Sequence, residues 1–305
     1  MAEPVDYRFR DEFSLLTLVA LSRQAGDRIL DVYQTMTEAD IAFKSDNSPV
    51  TAADIAAHHC LADALPSILA IPLISEEGEI PELAERLQWR RYWLIDPLDG
   101  TREFITRNGE FTVNIALIEN GKAVLGVVHA PVQNVTYAAI NLPDEGQVVA
   151  LKIAGDSLPE IIRGRCLAGS AAAQLPLALL ASHRHERADL QPIIEPIEAQ
   201  WPAGVELEHA GSSLKFCWLA EGRADLYPRH GLTSEWDTAA SQAVLEAAGG
   251  AIIEAGAMHL GEWQSLAYNS RESLLNPFFY AVADRQFGWT TLLKNIPVAS
   301  PANDD

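Results

Sequence analysis

The sequence predicts two mixed domains, an N-terminal α+β unit and a C-terminal α/β unit, and three observations carry that reading. Two short apolar runs, Ile71 to Ser75 and Tyr92 to Ile95, each end in acids, as strands delivering polar groups to one sheet edge do. Alternating residues flank Asn120-Gly121, a hairpin signal. From Leu179 onward, strand-like and helix-like stretches alternate. With 305 residues and 48% hydrophobic content the chain can fill two cores. The boundaries read as 1–155, 156–296 and a disordered tail over 297–305.

Taken in order, Phe13 to Tyr33 carries Leu16, Val19, Ala20, Leu30 and Tyr33 at helical spacing and predicts a long amphipathic helix. Phe43 to Pro49 is polar and turn-rich, and Val50-Thr51-Ala52-Ala53-Asp54 opens a second helix reaching about Ala64. His58 and His59 are adjacent on that helix, diverge by about 100°, and read as structural. A strand ends at Ser75-Glu76-Glu77, and another at Ile95-Asp96. Pro97 fixes φ, so a sharp turn between Asp96 and Asp99 with an exposed Leu98 carbonyl is expected, followed by a helix near Thr101. Phe111 to Val128 is the hairpin, and Asn134 to Ile140 another strand. Asn141 to Asp156 turns polar and Pro/Gly-punctuated, the candidate boundary. Beyond it come a helix at Ala171 to Leu177, a strand at Leu179 to Ser182, a helix at Leu190 to Ala199 and a strand at Val205 to Glu208. Gly211-Ser212-Ser213 opens a helix that ends at Gly222, and Ala224 to Tyr227 is a strand. Trp236-Asp237-Thr238 begins a last helix closed by Gly249-Gly250.

Charge and cysteine usage bound the function. A formal net charge of −20 argues against sequence-independent nucleic-acid binding and against adsorption to anionic lipid. Cys60, Cys166 and Cys217 are far apart and odd in number, which fits a reducing cytosol and indicates neither a disulfide framework nor a thiolate zinc site. The first residues lack the basic start of a signal peptide, and Leu15 to Leu21 falls far short of the roughly 20 apolar residues of a membrane span.

The candidate chemistry lies in the acids. Asp96 and Asp99 are followed by Gly100, which lets backbone approach a ligand, and by Thr101 at a helix start whose free N–H groups suit a phosphate. Counted as a calcium loop, Asp96 would place Leu98 and Arg107 at ligand positions, so an EF-hand is excluded. Asp54 has capping-box spacing from Thr51, and alternatively orients the Thr101 hydroxyl toward an attacking water. Asp237 reads as a first-turn acid. Gathered in one pocket, Glu76, Asp96, Asp99 and Asp237 would repel by several kcal/mol per close pair, so cations must intervene. Oxygen ligands without Cys or His favour Mg²⁺ or Mn²⁺, and two such ions match four carboxylates.

Glu76-Glu77, Asp96-Pro97-Leu98-Asp99-Gly100-Thr101 and Trp236-Asp237-Thr238-Ala239-Ala240 together resemble the signatures of the lithium-sensitive, magnesium-dependent phosphatases that include inositol monophosphatase. Asp46 to Asp54, Arg102 to Ile105 with Arg107 to Leu117, and Gly211 to Phe216 resemble the CysQ-type 3′(2′),5′-bisphosphate nucleotidases within that superfamily, the similarity running from about Phe13 to Phe278. The resemblance implies an αβαβα layered sandwich and hydrolysis of adenosine 3′,5′-bisphosphate to AMP and phosphate. It implies one Mg²⁺ held by Glu76, Asp96 and the Leu98 carbonyl and a second by Asp96, Asp99 and Asp237, with Thr101 and Asp54 as the catalytic pair. Gly100 and Thr101 amides would cradle the phosphate; His183, Ser212, Lys215 and Arg229 would surround the nucleoside and its other phosphate. The expected setting is cytoplasmic, either free or peripheral on the inner membrane, as monomer or homodimer. The rival readings are an inositol monophosphatase and a non-catalytic metal- or nucleotide-binding regulator.

Overall fold

The computed structural model describes residues 7–35, 51–167, 174–294 and 296–298, together with the backbone of 42–43 and 49–50. Strands β1 (Arg8–Phe9) and β2 (Phe13–Ser14) pair and lead into helix α1 (Leu15–Thr35), so the helix begins after Phe13 rather than at it. β3 (Ala42–Phe43) and β4 (Pro49–Val50) pair ahead of α2 (Ala52–Ile68), which outruns the expected end at Ala64; 44–48 lie outside the described residues. β5 (Leu73–Ser75), α3 (Leu83–Arg86), β6 (Arg91–Asp99) and α4 (Thr101–Ile105) follow. Then come β7 (Thr112–Glu119), β8 (Lys122–Ala130), β9 (Val135–Leu142), β10 (Gln147–Ala154) and β11 (Glu160–Ile161). The β7–β8 hairpin turns on Asn120 and Gly121, both with positive φ.

The second half holds β12 (Leu177–Ala181), α5 (Gln191–Glu198), β13 (Val205–His209), α6 (Leu214–Ala220), β14 (Leu226–Arg229) and α7 (Glu235–Ala247). It continues with β15 (Ala251–Glu254), α8 (Ala255–His259), β16 (Phe279–Val282) and α9 (Trp289–Leu292), so α7 is not the last helix. Of the helix expected at Ala171 to Leu177, residues 171–173 lie outside the described residues and Leu177 already belongs to β12.

Two sheets organise these elements, one of order β11-β10-β9-β8-β7-β6-β5 and one of order β13-β12-β14-β16-β15. The first face of the larger sheet buries Trp93, Ile95, Ile115 and Leu125 under α1 and α2. Its other face buries Tyr92, Leu94 and Ala116 against α6 and α7, which also pack Leu180, Phe279 and Ala281 of the smaller sheet. α5, α8 and α9 cover the far side, with Ile194, Met258 and Trp289 buried there. These are the five layers of an αβαβα sandwich. Because both faces of β6 are covered, its alternate side chains serve different cores, and the run Tyr92 to Ile95 reads as continuously apolar.

The polar stretch expected to separate the domains is instead strand: all eight residues of β10 pair with β9, and β11 extends the same sheet to Ile161. These two strands form an exposed sheet margin; Val148 is 46% exposed and Ile161 55%. The middle layer of α6 and α7 belongs to both sheets. α7 lies directly on β8, for a Cβ at Gly126 would stand 2.0 Å from the Ala240 carbonyl oxygen. Pro297 and Val298, at the start of the tail expected to be disordered, pack at the end of the smaller sheet, and 299–305 lie outside the described residues.

Candidate active site

β5 and β6 run parallel, with Ser75 opposite Ile95, and the Glu76 N–H donates to the Ile95 carbonyl at 3.3 Å. The two strand ends therefore bring Glu76 beside Asp96, and their carboxyl groups share a hydrogen bond. Past Asp96 the chain does not turn sharply. β6 continues through Pro97 to Asp99 with a shift in register against β7, so that Asp96 faces Asn114 and Asp99 faces Thr112. Leu98 is only 1% exposed, with its side chain in the α1/α2 core, so the expectation of an exposed carbonyl does not hold; its N–H donates to Asp96 Oδ1 at 3.0 Å. Gly100 has φ of +92° and supplies the N-cap position of α4, where a side chain would crowd Ser212.

α7 brings the distant acid. Asp237 occupies its first turn and accepts from the Ser234 N–H at 2.8 Å, closing a capping box. One carboxylate oxygen from each of Asp96, Asp99 and Asp237 falls within 4.8 Å of the others. Burial first, then the charges of Glu76, Asp99 and Asp237, push the Asp96 carboxyl well above its ordinary range, and burial with Asp99 does the same for Asp237. Crowded hard oxygen donors in a buried setting fit divalent Mg²⁺ or Mn²⁺, which would restore the charged forms. Asp99 is held by Ser212 Oγ at 2.7 Å and Ser213 Oγ at 2.8 Å, and Asn114 Nδ2 donates to Ser213 Oγ at 2.9 Å. Ser212 takes φ of +51° to present its hydroxyl, which also meets Thr112 Oγ1 at 2.5 Å.

Asp54 closes its helix's capping box and also meets Thr101. Its Oδ2 accepts from the Thr51 N–H and hydroxyl at 2.8 and 2.7 Å, and its Oδ1 accepts from Thr101 Oγ1 at 3.3 Å. It is 1% exposed, and burial raises its pKa while the Thr51 contacts pull the other way. His58 donates or accepts at Ser75 Oγ and holds no site.

Glu76, Asp99, Gly100, Thr101, Ser212, Lys215, Arg229 and Asp237 line one cavity of about 230 Å³, while Asp54, Asp96 and Leu98, each 1% exposed, are not among its lining residues. Lys215 is buried, its ammonium donating to the carbonyls of Ser212 at 2.8 Å and Ala210 at 3.2 Å, and burial lowers its pKa to about 8. Arg229 is anchored by Nη2 on the Leu232 carbonyl. His183 does not line the cavity. Its Nε2 pairs with Glu110 at 2.6 Å, and the same Glu110 carboxylate takes the Gly211 N–H.

Several supporting residues carry no local sequence signal. Glu235, fully buried at the start of α7, accepts from the Asn269 N–H with both oxygens, at 3.0 and 2.8 Å. Arg86, 1% exposed, donates to Asn269 Oδ1 and to the carbonyls of Pro81 and Glu272, which ties the segment after Glu76 to the base of α7. Arg184 adds a cation to the cavity wall. These contacts span up to 186 residues, beyond any spacing rule.

The chain matches the inositol monophosphatase family over residues 12–283. It is 46% identical over 262 residues to the 3′(2′),5′-bisphosphate nucleotidase CysQ of Shigella flexneri, covering 85% of this chain and 95% of that protein. The Haemophilus influenzae protein of the same name is 33% identical over 286 residues, 93% of this chain and 98% of its own. Among solved structures, CysQ from Bacteroides thetaiotaomicron superposes with a TM-score of 0.72 at 36% identity, over 89% of this chain and 97% of that one. The Thermotoga maritima IMPase, at 21% identity and a TM-score of 0.65 over 92% and 96% of the two chains, shares the fold. By sequence and by architecture, this chain belongs to the inositol monophosphatase family.

Proposed function

We propose that the chain is a Mg²⁺-dependent phosphomonoesterase that hydrolyses the 3′-phosphate of adenosine 3′,5′-bisphosphate, giving AMP and phosphate. The observation that carries this reading is the composition of one cleft: Glu76, Asp99, Asp237 and Thr101 line it with Lys215 and Arg229, Asp96 lies within reach of Asp99 and Asp237, and Asp54 meets Thr101 from behind. A substrate with one phosphate needs only the acid end; a second phosphate accounts for the cations. The Shigella flexneri and Haemophilus influenzae relatives are named for a bisphosphate nucleotidase activity, which agrees.

Glu76, Asp96 and the Leu98 carbonyl would hold one cation, and Asp96, Asp99 and Asp237 a second. Bound there, the ions supply charge neutralisation and make a water more acidic. Thr101 Oγ, donating its proton to Asp54 Oδ1, keeps a lone pair free to accept from that water and so aims the water oxygen at phosphorus. The amides of Gly100 and Thr101 cradle the phosphate oxygens. As the new P–O bond forms, the bond from phosphorus to O3′ breaks, and Lys215 and Arg229 hold the 5′-phosphate in place. Ser212 orients Asp99. We place the activity in the cytoplasm, free or peripheral on the inner membrane; among the described residues no helix is long and apolar enough to cross a membrane.

The test is phosphate release from adenosine 3′,5′-bisphosphate and from inositol 1-phosphate, with Mg²⁺ and with chelator. Release should need the metal and favour the bisphosphate, and Lys215→Ala should depress bisphosphate turnover far more than inositol phosphate turnover. Metal-independent release, or none from either substrate, would sink the mechanism, and equal losses in the variant would remove the substrate assignment.

A further inference from the structure

A second cavity, of about 350 Å³, adjoins the catalytic cleft, with Ser182, Tyr227 and Arg229 lining both. Its size falls within the about 300–1,000 Å³ of small-molecule sites. The ends of β12 and β14 contribute to its wall, together with Leu190, Pro192 and Ile193 at the start of α5, His230 and Gly231 after β14, and Pro297 and Val298. Where the catalytic cleft is lined mostly by charged and hydroxyl groups, this one is largely aliphatic, with imidazoles at His185 and His230 and one carboxylate at Asp189. Such a lining suits an uncharged chain with scattered polar atoms better than another phosphate.

Two residues lining this second cavity also carry buried side-chain nitrogens, Arg229 Nε and His230 Nε2, that have no hydrogen-bond partner among the described residues. The His230 ring is fixed between Phe278, stacked at 5.9 Å, and the edge contact with Tyr280 at 5.3 Å. The Arg229 guanidinium is fixed through Leu232.

With the 5′-phosphate at Lys215 and Arg229, whatever is esterified to that phosphate continues past Arg229; the base leaves the ribose at C1′, on a different branch. We infer that the second cavity is a subsite for the 5′ substituent, and that the enzyme also hydrolyses the 3′-phosphate of nucleoside 5′-diphosphate esters bearing an uncharged chain with scattered polar atoms. This rests on the bisphosphate reading of the cleft. The chemistry is unchanged: water oxygen bonds to the 3′-phosphorus, the bond to O3′ breaks, O3′ takes a proton, and the 5′ ester leaves intact.

Coenzyme A is a suitable probe, having a 3′-phosphate and a 5′-diphosphate esterified to such a chain. Phosphate release from it and from adenosine 3′,5′-bisphosphate is compared in the parent chain, in Pro192→Phe and in Pro297→Phe, both at exposed lining positions. Filling the cavity should lower kcat/KM for coenzyme A at least about tenfold while the bisphosphate changes less than about twofold, so that bisphosphate turnover reports correct folding. Turnover of the bisphosphate without coenzyme A would overturn the subsite. So would coenzyme A rates untouched by both variants, or equal losses on both substrates in Pro192→Phe, which would put the nucleoside itself in the second cavity. Release from neither substrate in the parent chain would overturn the cleft assignment and the subsite with it.

Discussion

At the start of α2, Thr51 caps the helix and Asp54 reaches back to its N–H; at the start of α7, Ser234 and Asp237 repeat the arrangement. In both, one carboxylate oxygen at 2.8 Å from the cap residue's N–H fixes the side chain while the carboxylate keeps further capacity. The environments then divide the tasks. Asp54 lies under Thr101 and meets a hydroxyl; Asp237 lies within reach of Asp96 and Asp99 and meets other carboxylates. A capping role and a chemical role are therefore not competing explanations for an aspartate at the third helical position. The cap holds the rotamer, so the other oxygen waits in place without the entropy cost of being oriented. α6, whose first turn also faces the cleft, differs: Ser213 directs its hydroxyl to Asp99 instead of capping its own helix, and Lys215 takes two carbonyls behind it.

The largest effect that could break this comparison comes from replacing the two acids. Asp54→Asn should lower kcat by about 10²–10³, with the Mg²⁺ concentration for half-maximal rate nearly unchanged. Asp237→Asn should raise that concentration at least about tenfold, a shift also readable as weaker Mg²⁺ binding by calorimetry without substrate. If both variants moved Mg²⁺ binding alike, the division of tasks would be wrong.

Lys215 sharpens the contrast with α6. Its pKa of about 8 lies below the ordinary 10.5, so the folded chain binds fewer protons than the unfolded one between those values. Stability should consequently rise with pH across that window, the burial cost being fully present below pH 8. The ammonium charge runs the other way: it is lost as pH rises through about 8, and KM for the bisphosphate should climb by up to about tenfold per pH unit above that point. Inositol phosphate should show no such inflection, and Lys215→Arg should remove it; a flat bisphosphate profile in the parent would take Lys215 out of phosphate binding.

The smallest effects belong to the caps themselves. Thr51→Ala and Ser234→Ala should each cost about 1 kcal/mol in denaturant unfolding. The first should lower kcat and the second weaken Mg²⁺ binding, each by less than replacement of the acid does. Stability losses with unchanged kinetics would mean that the caps hold helices but not carboxylates.

What the sequence made legible was local. The Thr51–Asp54 spacing, the helix start at Thr101, the Asn120-Gly121 turn and the two strands ending in acids were all readable from neighbours a few residues apart, and the structure bears them out. β15, β16 and the wrapping of 268–276 around the base of α7 were not, because their partners lie far away: Tyr268 meets Gln242, Asn276 meets Ser234, and Arg86 meets Asn269. The turn expected at Pro97 failed for a related reason. Proline forbids a donor, not a strand, and a bulged strand end accommodates it. Within the candidate boundary at Asn141 to Asp156, the strand β10 was likewise not readable, because its partner β9 and its place in the larger sheet are set by pairing rather than by local composition.

The contact between Gly126 and Ala240 reaches further than its location suggests. Ala240 lies one helical turn beyond Asp237, so the height at which α7 rides on β8 is also the height at which that acid enters the cleft. A maker of variant libraries who mutates only the cavity wall would never touch position 126. Yet a single methyl group there would lift the helix like a shim under a hinge, and the enzyme would fail at a place no map of its binding pocket includes.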